Sequence, residues 1–261
     1  MAIDGELLYG VDQWLLLAIL LAVLLAAEEL GFRVGRRRRA LYDDDGRANF
    51  GNLQAGLFGL MGLLLAFTFA MAQQRYETRK DMVVLDANAI GTAWLRTGFL
   101  PAPARDEVRR LFVRYVELRT DPGAFERQRR RATLAEIDRQ QAEIWSRVAA
   151  AANASPTPLT ALAAAATNDM IDMHAKRLAA ARNHVPEIVV LLVSAFALAA
   201  AAVTGYRCGI GHHRYRLPSA AFLLLVTLVI GVILDLDRPQ RGLITVDQGA
   251  MLDLRASMTG R

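Results

Sequence analysis

The sequence predicts an all-α membrane protein in which four transmembrane helices carry a helical-bundle insert between the second and the third. Three observations carry this reading. Four apolar stretches, near 11–30, 53–72, 187–206 and 217–235, are each long enough to cross a bilayer, which takes about 20 residues as a helix. Hydrophobic residues make up 54% of the 261-residue chain. The segment between the second and third stretches places its apolar side chains at helical spacing and shows no strand alternation. The chain then divides into transmembrane helices 1 and 2 (1–72), a helical extramembrane domain (73–186), transmembrane helices 3 and 4 (187–235) and a C-terminal tail (236–261).

The first stretch is not a cleavable signal peptide, because Asp4, Glu6 and Asp12 precede it and the basic run "RVGRRRR" follows it. The second, "GNLQAGLFGLMGLLLAFTFAMAQ", aligns Gly51, Ala55, Gly59, Gly62, Ala66, Ala70 and Gln73 on one narrow helical face. Small residues let backbones approach closely where lipid supplies no hydrophobic drive. The stripe therefore reads as a packing surface, against the same chain or a neighbour, with a smooth pore lining as the functional rival.

No proline interrupts the chain from this span to Pro101, so one helix is expected from about Asn52 to Arg96. Beyond the span it places Tyr76, Val83, Ala87, Ile90 and Trp94 on one side. A second stripe holds Val108, Leu111, Phe112, Tyr115 and Val116; a third holds Leu134, Ile137, Ile144, Trp145 and Val148. Asp121-Pro122-Gly123 is a turn, "NASPTP" breaks the third helix, and an alanine-rich helix follows over about 158–184. Pro186 opens the third span, where a missing amide hydrogen costs little.

Net charge is +5, nearly all of it from arginine beside spans or within amphipathic helices. Without interleaved aromatic residues this does not point to nucleic acid. Arg33, Arg36 to Arg39, Arg47, Arg207, Arg214 and Arg216 fall in the short loops 31–50 and 207–216, which share one side of the membrane. The positive-inside rule puts those loops in the cytoplasm and the large domain outside. Chemistry-bearing motifs are sparse. His174, His184, His212, His213 and Cys208 are the candidate soft ligands, and the cluster "CGIGHH" reads as a solvated loop; neither a metal nor a cofactor is expected. With no phosphate loop, HExxH, GxSxG or CxxC, no enzymatic activity is expected.

Two charged groups near the spans read as structural. Glu29 lies four residues before Arg33, a helical ion-pair spacing. In "LDLDRPQRGLI" the acids Asp235 and Asp237 are expected to pair with Arg238, Arg241 or the arginines after the second span.

The stretches "GLLLAFTFAMAQQRYETRKDMVVLDANAIGTAWLRTGFLP" and "LDLDRPQRGLI" resemble the bacterial membrane family called bestrophin-like, and through it the layout resembles bestrophin channels. The resemblance covers nearly the whole chain. It implies a homo-oligomer, a pentamer in bestrophins, that conducts inorganic ions across the bacterial inner membrane with transmembrane helix 2 lining the pore. Apolar residues at four-residue spacing match the neck as Leu63, Phe67 and Met71, and Gln73, Gln74, Arg75 and Arg79 stand at its mouth. The calcium clasp of animal bestrophins has no counterpart beyond Asp235 and Asp237. Bestrophins keep the large insert in the cytoplasm, whereas the arginine distribution of this chain places it outside. The alternative function is a non-conducting membrane sensor or scaffold whose helical domain binds a partner.

Overall fold

The computed structural model describes residues 12–120, 127–211, 216–238 and 243–260, and among them no strand occurs. Among the described residues eight α-helices follow one another: α1 (Gln13–Arg38), α2 (Asp44–Arg96), α3 (Ala102–Thr120), α4 (Arg127–Ala154), α5 (Pro158–Arg182), α6 (Glu187–Ile210), α7 (Arg216–Leu236) and α8 (Gly249–Thr259). Helix α2 is continuous for 53 residues and begins before the Asn52 expected from the sequence. Among the described residues four helical stretches are long and apolar enough to cross a membrane: Gln13–Leu41, Asn49–Phe99, Pro158–Ile210 and Arg216–Leu236. The turn expected at Asp121-Pro122-Gly123 lies outside the described residues, as do His212, His213, Arg214 and Arg241.

Local chemistry sets several helix ends. Asp12 caps α1 by accepting the Leu15 amide at 3.1 Å. At the start of α5, Thr157 and Thr160 each bond the other's backbone amide, and Pro158 occupies the first turn, where no amide is missed. Pro186 stands at the cap of α6.

The chain forms two units. The first comprises the residues up to Tyr76 together with His184–Thr245, and the second comprises Glu77–Asn183 with Val246–Arg261. In the first, Leu24, Met61, Ala72, Val193, Ala200, Leu223 and Ile230 belong to one buried apolar cluster. Helices α1 and α6 meet backbone to backbone. A Cβ added at Gly31 would overlap the Ala202 carbonyl and lie 3.0 Å from Tyr206 N; one at Gly205 would overlap the Glu28 carbonyl and lie 2.9 Å from Phe32 N. Gly35 and Gly209 repeat the arrangement one turn on, against Tyr206 and Phe32. Each helix thus contributes a Gly-x-x-x-Gly pair, Gly31/Gly35 and Gly205/Gly209, and only hydrogen fits at the contact.

In the second unit the three predicted stripes supply the core. Val83, Ala87 and Ile90 of α2, Val108, Phe112, Tyr115 and Val116 of α3, and Ile137, Ile144 and Val148 of α4 are all buried. Trp145 is the exception at 39% exposed, since the adjacent Ile144 takes the inward position. Met170 of α5 and Met251 of α8 complete the core, so α8, in what reads as a tail from the sequence, packs as part of this unit.

The two glycine settings predict opposite outcomes. Gly205→Leu forces α1 and α6 apart, and its overpacking cost of about 1–3 kcal/mol or more should lower the melting temperature of the purified protein. Gly59, whose added Cβ meets nothing within 4 Å in its own chain, should accept alanine without loss of the single chain's helical fold, read as an unchanged circular-dichroism spectrum.

Candidate functional site: the open face of the second helix

Over its apolar length α2 commits one side to the first unit. Gln54, Met61, Thr68 and Ala72 are buried, and Leu57, Phe58, Leu64, Leu65 and Tyr76 pack partly against the same core. The polar groups on that side are satisfied: Gln54 Nε2 donates to Thr204 Oγ1 at 3.0 Å, Arg207 Nη1 donates to Gln54 Oε1 at 2.9 Å, and Thr68 Oγ1 donates to the Leu64 carbonyl. Phe58 stacks on Phe222 with ring centroids 5.0 Å apart.

The other side is bare. Ala55, Gly59, Gly62, Ala66 and Ala70 are exposed, and a Cβ on Gly56, Gly59 or Gly62 would meet open space. At the start of the stripe, Gly51 differs, because a Cβ there would lie 3.3 Å from the Arg207 guanidinium. Leu63, Phe67 and Met71 are 51%, 63% and 37% exposed. At ~100° per residue they stand beside the small-residue stripe on the same open side, not across the helix from it. Among the described residues, none of the chain's helices covers Ala55 to Ala70 of the stripe or Leu63, Phe67 and Met71.

At the end of the apolar run the polar residues separate. Gln74 is exposed, and Gln73 and Arg75 are half-buried. Arg79 is 4% exposed, and its guanidinium donates to the carbonyls of Ala180 (3.3 Å) and Asn183 (2.8 Å) at the C-terminal end of α5. A cation there meets the negative end of the helix dipole. The resemblance sets Arg79 with the mouth residues, and in the structure its guanidinium is buried against the end of α5.

The acids after the fourth span bind backbone amides. Asp235 accepts the amides of Leu243 (3.1 Å) and Ile244 (2.7 Å), while Asp237 accepts the Val185 amide at 2.8 Å and faces His184 Nδ1 at 3.4 Å. Both are buried, and charge-assisted bonds to amide hydrogens provide for such carboxylates. Arg238 is buried beside them, and Arg241 lies outside the described residues. The expected Glu29–Arg33 pair forms at 2.9 Å. Among the described residues no group of three or more His, Cys, Asp or Glu could hold a metal ion.

A second polar centre, which the sequence reading does not anticipate, lies inside the second unit. Asp86 of α2, fully buried, takes both Arg119 of α3 and Arg177 of α5 (2.9 Å) on its Oδ2. Arg119 also donates to Tyr115 Oη at 2.7 Å, Gln141 of α4 donates to the same oxygen at 3.0 Å, and Arg177 donates to Gln248 Oε1 at 2.6 Å. Burial pushes the Tyr115 phenol above its usual value, with Arg119 pulling the other way. Burial also disfavours the Arg119 charge, but Tyr115 and Asp86 more than offset it and raise its pKa. For Arg177, burial and then Arg119 prevail, and its pKa is lowered. One signal was available: Asp86 falls on the same helical face as Val83 and Ile90, an acid inside an apolar stripe. Asp86→Asn leaves two buried guanidiniums facing each other without a counter-charge. A loss of about 3–5 kcal/mol is expected, read as a lower unfolding midpoint.

A model of the bestrophin-like domain matches residues 16–251. No protein of curated function matches the chain. Three solved structures of similar fold are forms of a bacterial bestrophin homolog from Klebsiella pneumoniae. A tryptophan-to-alanine variant matches with TM-score 0.66 and 16% identity, covering 92% of this chain and 97% of its own. An isoleucine-to-threonine variant matches with TM-score 0.63 and 17% identity, covering 91% and 98%. A further structure of that homolog matches with TM-score 0.62 and 15% identity, again covering 91% and 98%. At such identities the likeness is one of fold, and four apolar helices within that fold make this a multi-pass membrane protein. The match over residues 16–251 places the chain in the bestrophin-like family.

Proposed function

We propose that this protein is a homo-oligomeric ion channel whose conduction path is lined by the open side of α2. The observation that carries the reading is the bare apolar run Leu63-Phe67-Met71 beside a stripe of glycine and alanine, on a helix that crosses the membrane. The apolar window of α2 is 17% buried by the rest of the chain, against 44% for α7 and 11% for α1. In this reading the small-residue stripe meets a neighbouring copy and the larger side chains turn toward the axis; five copies are what the family resemblance implies. An apolar ring is a barrier because a permeating ion sheds water and finds no polar group in exchange. Gln73, Gln74 and Arg75 form the mouth, with Arg79 supporting the helix behind it. The short arginine-rich loops face the cytoplasm of a bacterial inner membrane.

Shrinking the ring lowers the barrier, so Phe67→Ala should carry more current than the wild type in proteoliposomes tested with Cl⁻, Na⁺ and K⁺. Absence of flux from both at all voltages would favour a non-conducting sensor or scaffold, and equal currents would move the gate elsewhere.

Orientation is tested with the single cysteine. Cys208 should resist a membrane-impermeant maleimide in intact cells, while Ser155→Cys should label from outside. Labelling of Cys208 with protection of position 155 would reverse the orientation.

A further inference from the structure

The Asp86 cluster leaves buried polar atoms without partners. Among the described residues neither ring nitrogen of His174 has a hydrogen-bond partner, although the residue is only 7% exposed, and Asp86 Oδ1 is likewise unbonded. Unpaired buried polar atoms are costly, and a charge would cost far more. The charged and titratable groups of the cluster are Asp86 from α2, Tyr115 and Arg119 from α3, and Arg177 beside His174 on α5; α4 contributes neutral Gln141, and neutral Gln248 precedes α8. One carboxylate already serves two guanidiniums there.

We propose that His174 is a proton-sensitive latch of the second unit: the bundle is closed while the imidazole is neutral, and protonation loosens the segments that meet at Asp86. A third cation would enter a buried site holding a single carboxylate, whose Oδ2 is taken by Arg119 and Arg177. Opening hydrates the imidazolium and relieves the repulsion from both arginines.

The electrostatics agree with the geometry. The His174 pKa is lowered from 6.5 to about 4, first by burial, then by Arg119, with Asp86 opposing and Arg177 adding. Between those values the opened bundle binds a proton that the closed bundle does not, so closure is favoured above pH 6.5 and loses ground as pH falls toward 4. At pH 5 the opening equilibrium should be about 30-fold larger than at pH 7.5 from this one group.

Amide hydrogen exchange of the full-length protein in detergent, corrected for the intrinsic pH dependence of exchange, tests this. In the wild type, peptides covering 83–90, 112–119, 141–148 and 170–177 should open about 30-fold more at pH 5 than at pH 7.5. His174→Gln, which cannot be protonated, should lack that increment. Identical pH profiles in the two proteins overturn the proposal, and so does slower wild-type exchange at pH 5, which would mean that the imidazolium tightens the cluster by pairing with Asp86. If His174→Gln does not fold, histidine NMR of the wild type decides. Titration of His174 near 6.5 with protection retained overturns the latch, and a neutral ring down to the pH at which protection is lost supports it. Neither readout requires conduction, so failure here is distinct from failure of the channel proposal.

Discussion

The first unit depends on the contact between α1 and α6, where two Gly-x-x-x-Gly pairs bring backbone against backbone. In lipid no hydrophobic drive presses helices together, because the tails are as apolar as leucine, and association rests on packing and on polar bonds. Glycine at positions 31, 35, 205 and 209 maximises the first of these by removing every side-chain atom from the crossing. With α6 so held, Thr204 and Arg207 on it present their polar atoms to Gln54 of α2. Each such bond inside an apolar layer fixes register, since a slip of one residue would leave donors unpaired. Asp237, at the far end of α7, takes the Val185 amide and so ties down the chain just before α6.

Much of the architecture is legible in the sequence because its physics is periodic and local. Apolar stretches of bilayer length, the proline-free run through Arg96 and the stripes ending in Trp94, Val116 and Val148 depend on spacing that any helix obeys. Legibility fails where a choice between equivalent partners is made in three dimensions. Two sets of small residues occur, and the longer one, Gly51 to Ala70, is the more conspicuous in the sequence; yet it is Gly31, Gly35, Gly205 and Gly209 that close a helix contact within the chain. The motif is readable on both helices, but only as two short pairs at span ends among arginines. The carboxylates Asp235 and Asp237 illustrate the same limit. Besides the arginines that the sequence offers them, they take backbone amides that the fold brings near, those of Val185, Leu243 and Ile244, and amide partners leave no trace in composition.

The buried cluster around Asp86 was hidden for a related reason. Arg119, Arg177 and Asp86 stand far apart in the chain, on three different helices that also carry charged residues exposed to water. A buried ion pair rarely adds stability over a well-packed apolar substitute, because desolvation of the charges consumes most of the attraction. Its effect is on uniqueness. Helices of alanine and leucine can slide past each other at small cost, whereas one carboxylate with two guanidiniums admits one alignment of α2, α3 and α5. Tyr115, Gln141 and Gln248 extend that constraint to α4 and to the segment leading into α8. Alanine-rich α5 has little side-chain bulk with which to define its own register, and it supplies Arg177.

Exposure of Leu63 and Phe67 would by itself mean little in a bilayer, where apolar side chains facing lipid are ordinary. What gives the open side of α2 its meaning is the juxtaposition of two unlike surfaces on one helix. Glycine and alanine over four turns offer lipid tails little to pack against and offer a second backbone a close approach. A neighbour seated on that stripe would hold α2 at short distance, and the adjacent Leu63-Phe67-Met71 row would then be displaced from the contact toward whatever lies beside it. In a closed ring of identical copies the same rotation is imposed at every interface, because each copy meets its neighbours in the same way. Side chains turned inward by one copy are turned inward by all, and a row of single phenylalanines becomes a continuous apolar collar. In the proposed channel the width of that collar would be set by how closely the small residues let adjacent backbones approach, so that the packing stripe and the neck would be two consequences of one helix face.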